Sequence, residues 1–119
     1  MLVYEGNYKG INYAIRLIEP YGEEKAIWSY YCCYFENIYK SDDFIYDTFD
    51  FGVPGGVTWD QPWSKSFGEN SALYNKWVIG WDYGHIWDEG KEYSIKELEE
   101  DIFNAIDKYI EVYEKRRKK

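Results

Sequence analysis

Residues 93–113, YSIKELEEDIFNAIDKYIEVY, predict one long helix, which sets the fold class of this chain. Ser94 and Glu97 have the spacing of a capping box, in which side chains satisfy N–H groups that the first helical turn leaves unbonded. Tyr93 precedes the cap and can pack on Leu98 as a hydrophobic staple. Apolar residues recur at the spacing of a single helix face, namely Ile95, Leu98, Ile102, Ile106, Tyr109, Ile110 and Tyr113. A helix with one apolar face needs a surface to pack against, which the rest of the chain must supply.

The rest of the chain predicts strands and turns. Residues 2–5 and 11–18 are β-compatible runs on either side of the turn sequence GNYKG. In the second run apolar and polar residues alternate, which is the pattern of a half-buried strand. A third run covers residues 26–35, a short strand follows at 57–59, and residues 73–81 form another. The short connections between the first three strands favour an antiparallel meander there.

These elements predict a single α+β domain over residues 1–119. It contains an antiparallel sheet of about four to five strands, with the long C-terminal helix packed on one face. The chain has 119 residues, enough for one domain, and its sequence contains no linker and no internal repeat. Aromatic residues make up 22% of it, which excludes a disordered chain and predicts an aromatic core.

The chain is acidic, with a formal net charge of −8, although residues 115–119 form a basic tail. The body is more acidic still, because removing the five cations of the tail from −8 leaves −13. Such a body repels nucleic acid, so we expect no direct nucleic-acid binding. A protein with a basic surface, such as a nucleic-acid-binding effector, is the partner that this charge favours; the alternative is that the charge serves solubility alone.

The two cysteines, Cys32 and Cys33, are neighbours in a predicted strand. Adjacent side chains of a strand point to opposite faces, so a disulfide between them would be strained, and the chain has no third cysteine. Free thiols favour a reducing compartment. The first 30 residues show no secretory signal pattern, and no apolar run approaches the roughly 18 residues of a membrane span. We therefore expect a cytoplasmic protein without a membrane partner.

The candidate catalytic or metal-binding residues surround the one histidine, His85. It lies three residues after Asp82 and three before Asp88. Two carboxylates and an imidazole can bind a divalent metal or hold a general base. The alternative, which we favour, is that His85 bonds to a neighbouring carboxylate or carbonyl and fixes a loop. Motifs of phosphate-cradling loops and of serine hydrolases are absent, so the sequence predicts no cofactor.

A candidate binding segment is GGVTWD, residues 55–60. Thr58, Trp59 and Asp60 offer a hydroxyl, a stacking plane and a carboxylate, and the glycines allow a close approach of the backbone. If this segment meets Trp81 and the histidine, these residues line one cleft. The structural alternative is a turn that leads into a strand.

A candidate partner surface lies in residues 36–51, where acids alternate with aromatic residues. Its acids include Asp42, Asp43 and Asp47. Carboxylates over aromatic rings can imitate the phosphates and bases of a nucleic acid towards a basic protein groove. The same pattern also occurs in loops that are attached to a core by their aromatic side chains.

The segments GGVTW, WVIGWDYGHIWDEG and YSIKELEEDI, in this order, resemble a family of small uncharacterised proteins encoded by bacteriophages and prophages. In that family a G-G-[LV]-T-[YW] segment precedes a G-[FW]-D-x-x-H-x-x-D segment and a capped terminal helix. The matching positions are Gly55, Gly56, Thr58, Trp59, Gly80, Asp82, His85 and Asp88. Many members carry a histidine just before the two glycines, where this chain has Pro54, and its loss weakens the metal interpretation.

The resemblance implies an accessory gene of a phage or mobile element, expressed in a bacterial cytoplasm, and no established reaction. The leading hypothesis is a protein that acts by binding and inhibits a bacterial defence component, of the anti-CRISPR or anti-restriction type, with its acidic surface in a basic groove. One alternative is a protein that sequesters a nucleotide signal in a pocket of Trp59, Trp81 and His85. The other is a small metal-dependent hydrolase that uses Asp82, His85 and Asp88. The sequence favours binding over catalysis and leaves the target and the oligomeric state open.

Overall fold

The structure, a computed structural model, describes residues 2–19, 29–38, 51–84 and 91–117, with side chains described as far as residue 114. Its elements are β1 (Leu2–Tyr8), β2 (Ile11–Ile18), β3 (Tyr30–Glu36), β4 (Trp59–Pro62), β5 (Trp77–Asp82) and α1 (Ile95–Arg117), with a 3-10 turn at Lys65–Phe67. The five strands form one antiparallel sheet on which α1 packs. The predicted α+β class is confirmed.

The order of the strands in the sheet is β1-β2-β3-β5-β4. The first three strands form the predicted meander. After β3 the chain passes to the edge strand β4 and then returns to β5, which lies between β3 and β4. Beyond β3 the strand order no longer follows the chain, because the segment between β3 and β4 is long and does not force these strands to be neighbours.

The observed bounds agree with the predicted ones for β2 and differ from them for β5. β2 occupies the predicted residues 11–18. β5 begins only at Trp77, because Asn75 has a φ of 65°, a left-handed conformation that interrupts an extended run. The first part of the predicted strand 73–81 is therefore a turn. Residues 26–28, the start of another predicted strand, lie outside the described residues.

β1 continues to Tyr8, beyond the predicted end of the strand at Glu5. A two-residue turn then joins it to β2. Lys9 and Gly10 have φ values of 52° and 84°, the left-handed conformations that such tight hairpin turns require. The hairpin is closed by the pairing of Tyr8 with Ile11.

α1 lies on one face of the sheet, and its cap is the predicted one. Ser94 Oγ accepts a hydrogen bond from the backbone N–H of Glu97 at 3.1 Å and donates one to its carboxylate at 3.2 Å. The predicted apolar face is buried, with exposures of 0–3% at Leu98, Ile102, Ile106, Tyr109 and Tyr113. These residues pack against a sheet face that includes Ile15, Phe35, Ile79 and Trp81. This is the main core of the domain.

The opposite face of the sheet is covered by residues 59–76. Trp63, Phe67 and Leu73 from this covering segment are buried against it, in a second apolar cluster. As a result β2 is buried on both faces, with Ala14 and Arg16 almost inaccessible to solvent. The prediction that β2 is buried on one face only is therefore wrong. Its other face, which carries Arg16, is covered by residues that are distant in the sequence.

The two cysteines lie on opposite faces of β3, as predicted. Cys33 belongs to the core beneath α1, and Cys32 belongs to the second cluster. Both cysteines are buried, and neither forms a disulfide. In the described part of the chain, no helix has the length and apolar character needed to cross a membrane.

Candidate functional site

A pocket of about 320 Å³ lies on the sheet face opposite α1. It is bounded by β2 and β3, by residues 58–67 and by the end of β5. Its described lining includes the polar residues Arg16, Thr58, Ser64, Ser66 and Asp82. The aromatic residues of the described lining are Tyr30, Tyr34, Trp59, Phe67 and Trp81. A volume near the lower end of the range for small-molecule sites, with aromatic walls and a few polar groups, is typical of a ligand pocket.

Arg16 is the buried charge of this pocket, and two aromatic side chains hold it in place. Only 2% of this residue is exposed. Its guanidinium carbon lies 3.7 Å from the centre of the Phe67 ring, and its Nη1 donates a hydrogen bond to the Tyr34 hydroxyl at 3.1 Å. Burial raises the pKa of Tyr34, so this phenol stays neutral and available as an acceptor. The pocket therefore contains a permanently charged group in a fixed position.

The segments that contain Thr58 and Asp82 meet at the pocket. The backbone N–H of Thr58 donates to the carbonyl of Gly80 at 2.9 Å, which places the start of β4 beside β5. The Thr58 hydroxyl then donates to Asp82 Oδ2 at 3.3 Å. The other oxygen, Oδ1, accepts from the N–H of Gly84 at 2.9 Å. The carboxylate of Asp82 is therefore oriented by bonds to both of its oxygens.

Gly80 leaves room for the ring of Tyr34 beneath the pocket. A Cβ at this position would lie 2.5 Å from Cδ1 of Tyr34, well inside van der Waals contact. The ring of Tyr34 thus occupies the space that a side chain at Gly80 would fill. This packing supports the same tyrosine that bonds to Arg16.

The outer wall of the pocket comes from the covering segment. Trp59 and Phe67 have ring centres 5.1 Å apart, and the hydroxyl oxygens of Ser64 and Ser66 are 2.9 Å apart. The indole nitrogen of Trp59 is buried and makes no hydrogen bond among the described residues. This wall therefore presents hydroxyl groups next to aromatic rings.

Two predicted binding residues have structural roles. The indole of Trp81 packs in the core beneath α1, is 1% exposed and donates to the Tyr83 hydroxyl at 3.2 Å. It is not available as a stacking plane, although Trp81 borders the pocket. Asp60 accepts a hydrogen bond of 2.6 Å from the indole of Trp77 and is not among the lining residues of the pocket.

The remaining candidates lie outside the described residues: His85, Asp88, Asp42, Asp43 and Asp47. The histidine site and the acidic partner surface therefore stay predictions. Among the residues that the structure does describe, no three His, Cys, Asp or Glu side chains are grouped so that they can hold a metal ion.

Arg16 and the two serines of the pocket were not predicted. Arg16 is preceded by two apolar residues and followed by two more, in the run AIRLI. An arginine within such an apolar run indicates a buried charge. Because arginine is almost never fully buried without a partner, its position is also expected to be fixed by contacts. Ser64 and Ser66 carry no comparable local signal, since their position depends on how the covering segment folds back.

A second cavity, of about 440 Å³, lies near the start of α1. It is lined by four tyrosines and by the residues Leu17, Ser29, Lys91 and Glu92. The last two of these side chains are exposed. It has no buried charge among its described lining residues, so it is the weaker candidate for a ligand site.

Comparison of the chain with protein-family models, with curated proteins and with solved structures found no match. The candidate function is therefore inferred from the residues of the pocket.

Proposed function

We propose that this protein acts by binding a small molecule in the pocket opposite α1. The observation that carries the proposal is the buried guanidinium of Arg16, fixed among hydroxyl, carboxylate and aromatic groups around one cavity. The described lining combines these polar groups with aromatic rings around a volume of about 320 Å³, a combination found in small-molecule sites. We propose binding rather than catalysis.

We further propose that the protein is an accessory protein of a bacteriophage or prophage and works in the bacterial cytoplasm. The resemblance supports this, because Thr58 and Asp82, two of its matching positions, meet at the pocket. Cys32 and Cys33 form no disulfide, which fits a reducing compartment. Sequestering a small signal molecule of host defence requires only a binding site.

The test introduces a tryptophan at one or the other of two adjacent residues in the covering segment. Ser66→Trp places an indole at a lining residue of the pocket, whereas Lys65→Trp places it at an exposed neighbour that does not line it. Each protein is mixed with a deproteinised extract of infected bacteria, and native mass spectrometry records bound small molecules. We expect the same adduct on the wild type and Lys65→Trp and none on Ser66→Trp. Absence of any adduct, or equal binding by Ser66→Trp, would overturn the proposal.

A second candidate function is inhibition of a basic defence effector, and the charge of α1 favours it. Residues 95–114 of α1 contain seven acidic and two basic side chains. Glu97, Glu100, Glu111 and Glu114 are exposed. Such a surface attracts a basic nucleic-acid groove by electrostatic complementarity.

The test of this candidate is inhibition of DNA cleavage by purified restriction and CRISPR effectors. We expect inhibition to weaken as salt rises past about 0.15 M, where the Debye length falls to about 8 Å. If the predicted acidic surface binds the effector, reversing the charges at Asp42, Asp43 and Asp47 should abolish inhibition. If α1 binds the effector, Glu100→Lys with Glu111→Lys should abolish inhibition. Inhibition that is indifferent to salt and to both reversals would exclude this function.

The metal-dependent hydrolase stays a prediction that rests on the sequence alone. Of its three residues only Asp82 lies in the described part of the chain, where its carboxylate bonds to Thr58 and Gly84. We expect uptake of zinc or manganese to raise the melting temperature if the site exists. Equal melting in excess metal and in chelator would exclude it.

A further inference from the structure

We propose that the outer edge of β1 binds an extended segment of a partner protein as an additional strand of the sheet, with a lysine or arginine of that segment beside Gly6 and Glu99. Neither residue is among the described lining residues of the pocket, so this surface does not depend on the binding of a small molecule. Three features carry the proposal: the unpaired edge of β1, a tyrosine ring that crosses β1 at Gly6, and the carboxylate that this tyrosine holds.

β1 is an edge strand, and among the described residues its outer backbone groups have no partner. β2 lies on one side of it, and the described sheet ends on the other. The two-residue turn after Tyr8 makes this residue a hydrogen-bonded pair with Ile11. Because such pairs alternate along an antiparallel ladder, the N–H and C=O groups of Glu5 and Asn7 point away from β2. These groups are therefore available to bond to another strand.

β1 lacks the usual protection of an edge strand. Native edges carry lysine or proline, or are interrupted by bulges, so that other chains do not pair with them. β1 contains neither lysine nor proline, and its one irregularity lies at its start, before Tyr4. Its single charged residue, Glu5, turns to the covering segment, where its carboxylate accepts from Ser71 Oγ at 2.9 Å and from the Ala72 N–H at 3.0 Å. An accessible edge of this kind is where β-strand addition occurs in peptide-binding proteins.

Gly6 lies in the middle of this edge, and the ring of a β2 tyrosine crosses it on the face that carries α1. Gly6 pairs with Tyr13, and a Cβ at Gly6 would lie 2.5 Å from Cζ of that ring. The Tyr13 hydroxyl therefore reaches over β1, where it donates a hydrogen bond to Oε2 of Glu99. The carboxylate of Glu99 is thereby placed over the edge of the sheet.

Glu99 gives this edge a negative charge that a partner can neutralise. Its side chain is partly exposed, and its Oε1 makes no hydrogen bond or ion pair with the described residues. Adjacent strands lie about 4.8 Å apart, so a lysine or arginine that an added strand places opposite Gly6 can reach this carboxylate. The ring of Tyr4 stacks on that of Tyr13, with ring centres 6.3 Å apart, and aromatic faces also attract cations. The edge is therefore complementary to a basic side chain.

The charge selects a basic segment over a second copy of this chain. Pairing of β1 with the β1 strand of another copy places no cation beside Glu99, because the strand contains no lysine or arginine. It also brings together two chains that each have a net charge of −8. A segment with one cation, and with residues that favour strands on either side of it, has neither disadvantage.

The experiment is a titration of the whole isotope-labelled chain with synthetic peptides, followed by NMR of the backbone amides. The probes are the acetylated and amidated peptide TVTRTVT and the same peptide with glutamine or glutamate in place of arginine. We expect the arginine peptide to shift the amide signals of Glu5 and Asn7 and to bind more tightly than the glutamine peptide, which in turn binds more tightly than the glutamate peptide. No shift in β1 with any peptide, or equal affinity for the arginine and glutamate peptides, would overturn the proposal.

A matched pair of variants tests the role of Glu99. Glu99→Gln removes the carboxylate over the edge, and Glu69→Gln removes an exposed one from the covering segment, on the other face of the sheet. We expect Glu99→Gln to weaken binding of the arginine peptide about 2- to 5-fold, the range for a partly exposed ion pair, and to leave binding of the glutamine peptide unchanged. Glu69→Gln should change neither affinity. Equal effects of the two variants would overturn the placement of the cation.

Modified peptides test whether binding is strand addition. In an added strand, alternate residues bond to β1 and the residues between them point away from it. N-methylation of one alternate set of peptide amides should therefore abolish binding, and N-methylation of the other set should not. Equal effects of the two modifications would overturn the proposal.

Light scattering during size-exclusion chromatography tests the other occupant of the edge. We expect a monomer, because the edge lacks a cation of its own. A dimer in which the amides of β1 are protected from hydrogen exchange would show that a second copy occupies the edge, and would overturn the assignment of a basic partner segment.

Discussion

At the scale of single residues, hydrogen bonds between tyrosines and carboxylates join the sheet to α1. The buried phenol of Tyr83 donates to Asp101 at 2.7 Å and accepts from the Trp81 indole at 3.2 Å. Burial raises the pKa of this phenol, and the neighbouring Cys33 thiol adds to the effect. The folded state therefore holds the proton of Tyr83 more tightly than the unfolded chain does.

This difference predicts a loss of stability in alkali. A tyrosine ionises near pH 10 in the unfolded chain, so the stabilisation by neutral Tyr83 is complete below about pH 10 and is lost as the pH rises further. We expect Tyr83→Phe to lower the free energy of unfolding by about 1–2 kcal/mol at neutral pH. Above pH 10 its difference from the wild type should shrink, by at most about 1.4 kcal/mol per pH unit. Urea unfolding at increasing pH measures this, and a constant difference across pH 10 would contradict it.

At the scale of elements, α1 depends on the side chain that caps its first turn. Ser94 Oγ accepts from the N–H of Glu97, a group that has no partner within the helix. We expect Ser94→Ala to lower the free energy of unfolding by about 1 kcal/mol and the melting temperature by a few degrees. Asn104→Ala, an exposed change in the same helix, is the control and should leave stability unchanged or raise it. Equal melting of Ser94→Ala and wild type would refute the role of the cap.

The pairing of β3 with β5 depends on the absence of a side chain at Gly80. Gly80↔Tyr34 is a cross-strand pair, and the ring of Tyr34 fills the space above the glycine. We expect Gly80→Ala to destabilise the domain by about 1–3 kcal/mol, because its Cβ forces the ring to move. A double-mutant cycle with Tyr34→Ala measures the coupling: removing the ring should make Gly80→Ala almost neutral. Additive effects would show that the ring is not the cause.

These elements were predictable where their signals are local. The apolar face of α1 and the bounds of β2 both depend on neighbours in the sequence, and both were predicted correctly. The burial of β2 on both faces was not predicted, because it depends on a distant segment. The position of β5 between β3 and β4 depends on contacts between distant residues, such as Cys33↔Trp81, for which the sequence carries no local signal. The residues of the pocket show the same division between local and long-range signals. Thr58 and Asp82 were named as candidate residues from their motifs, whereas the burial of Arg16 arises only when the covering segment closes over β2.

At the scale of the whole molecule, the net charge of −8 opposes the compact state by self-repulsion. α1 concentrates this charge, since its exposed acids outnumber its lysines. Asp107 is paired with Lys9 at 2.7 Å, but both side chains are largely exposed, so this ion pair contributes little. Screening by salt should therefore stabilise the fold.

We expect the melting temperature to rise as sodium chloride increases from about 0.01 to 0.15 M, because the Debye length falls from about 30 Å to about 8 Å over that range. Glu100→Gln with Glu111→Gln removes two negative charges from α1 and should raise the melting temperature at low salt and flatten its dependence on salt. Lys96→Gln with Lys108→Gln removes two positive charges from the same helix and should steepen that dependence. Circular dichroism melts of the three proteins provide the comparison. A melting temperature that is flat or falls with salt, or equal slopes for the two variants, would show that repulsion along α1 does not limit the stability of the domain.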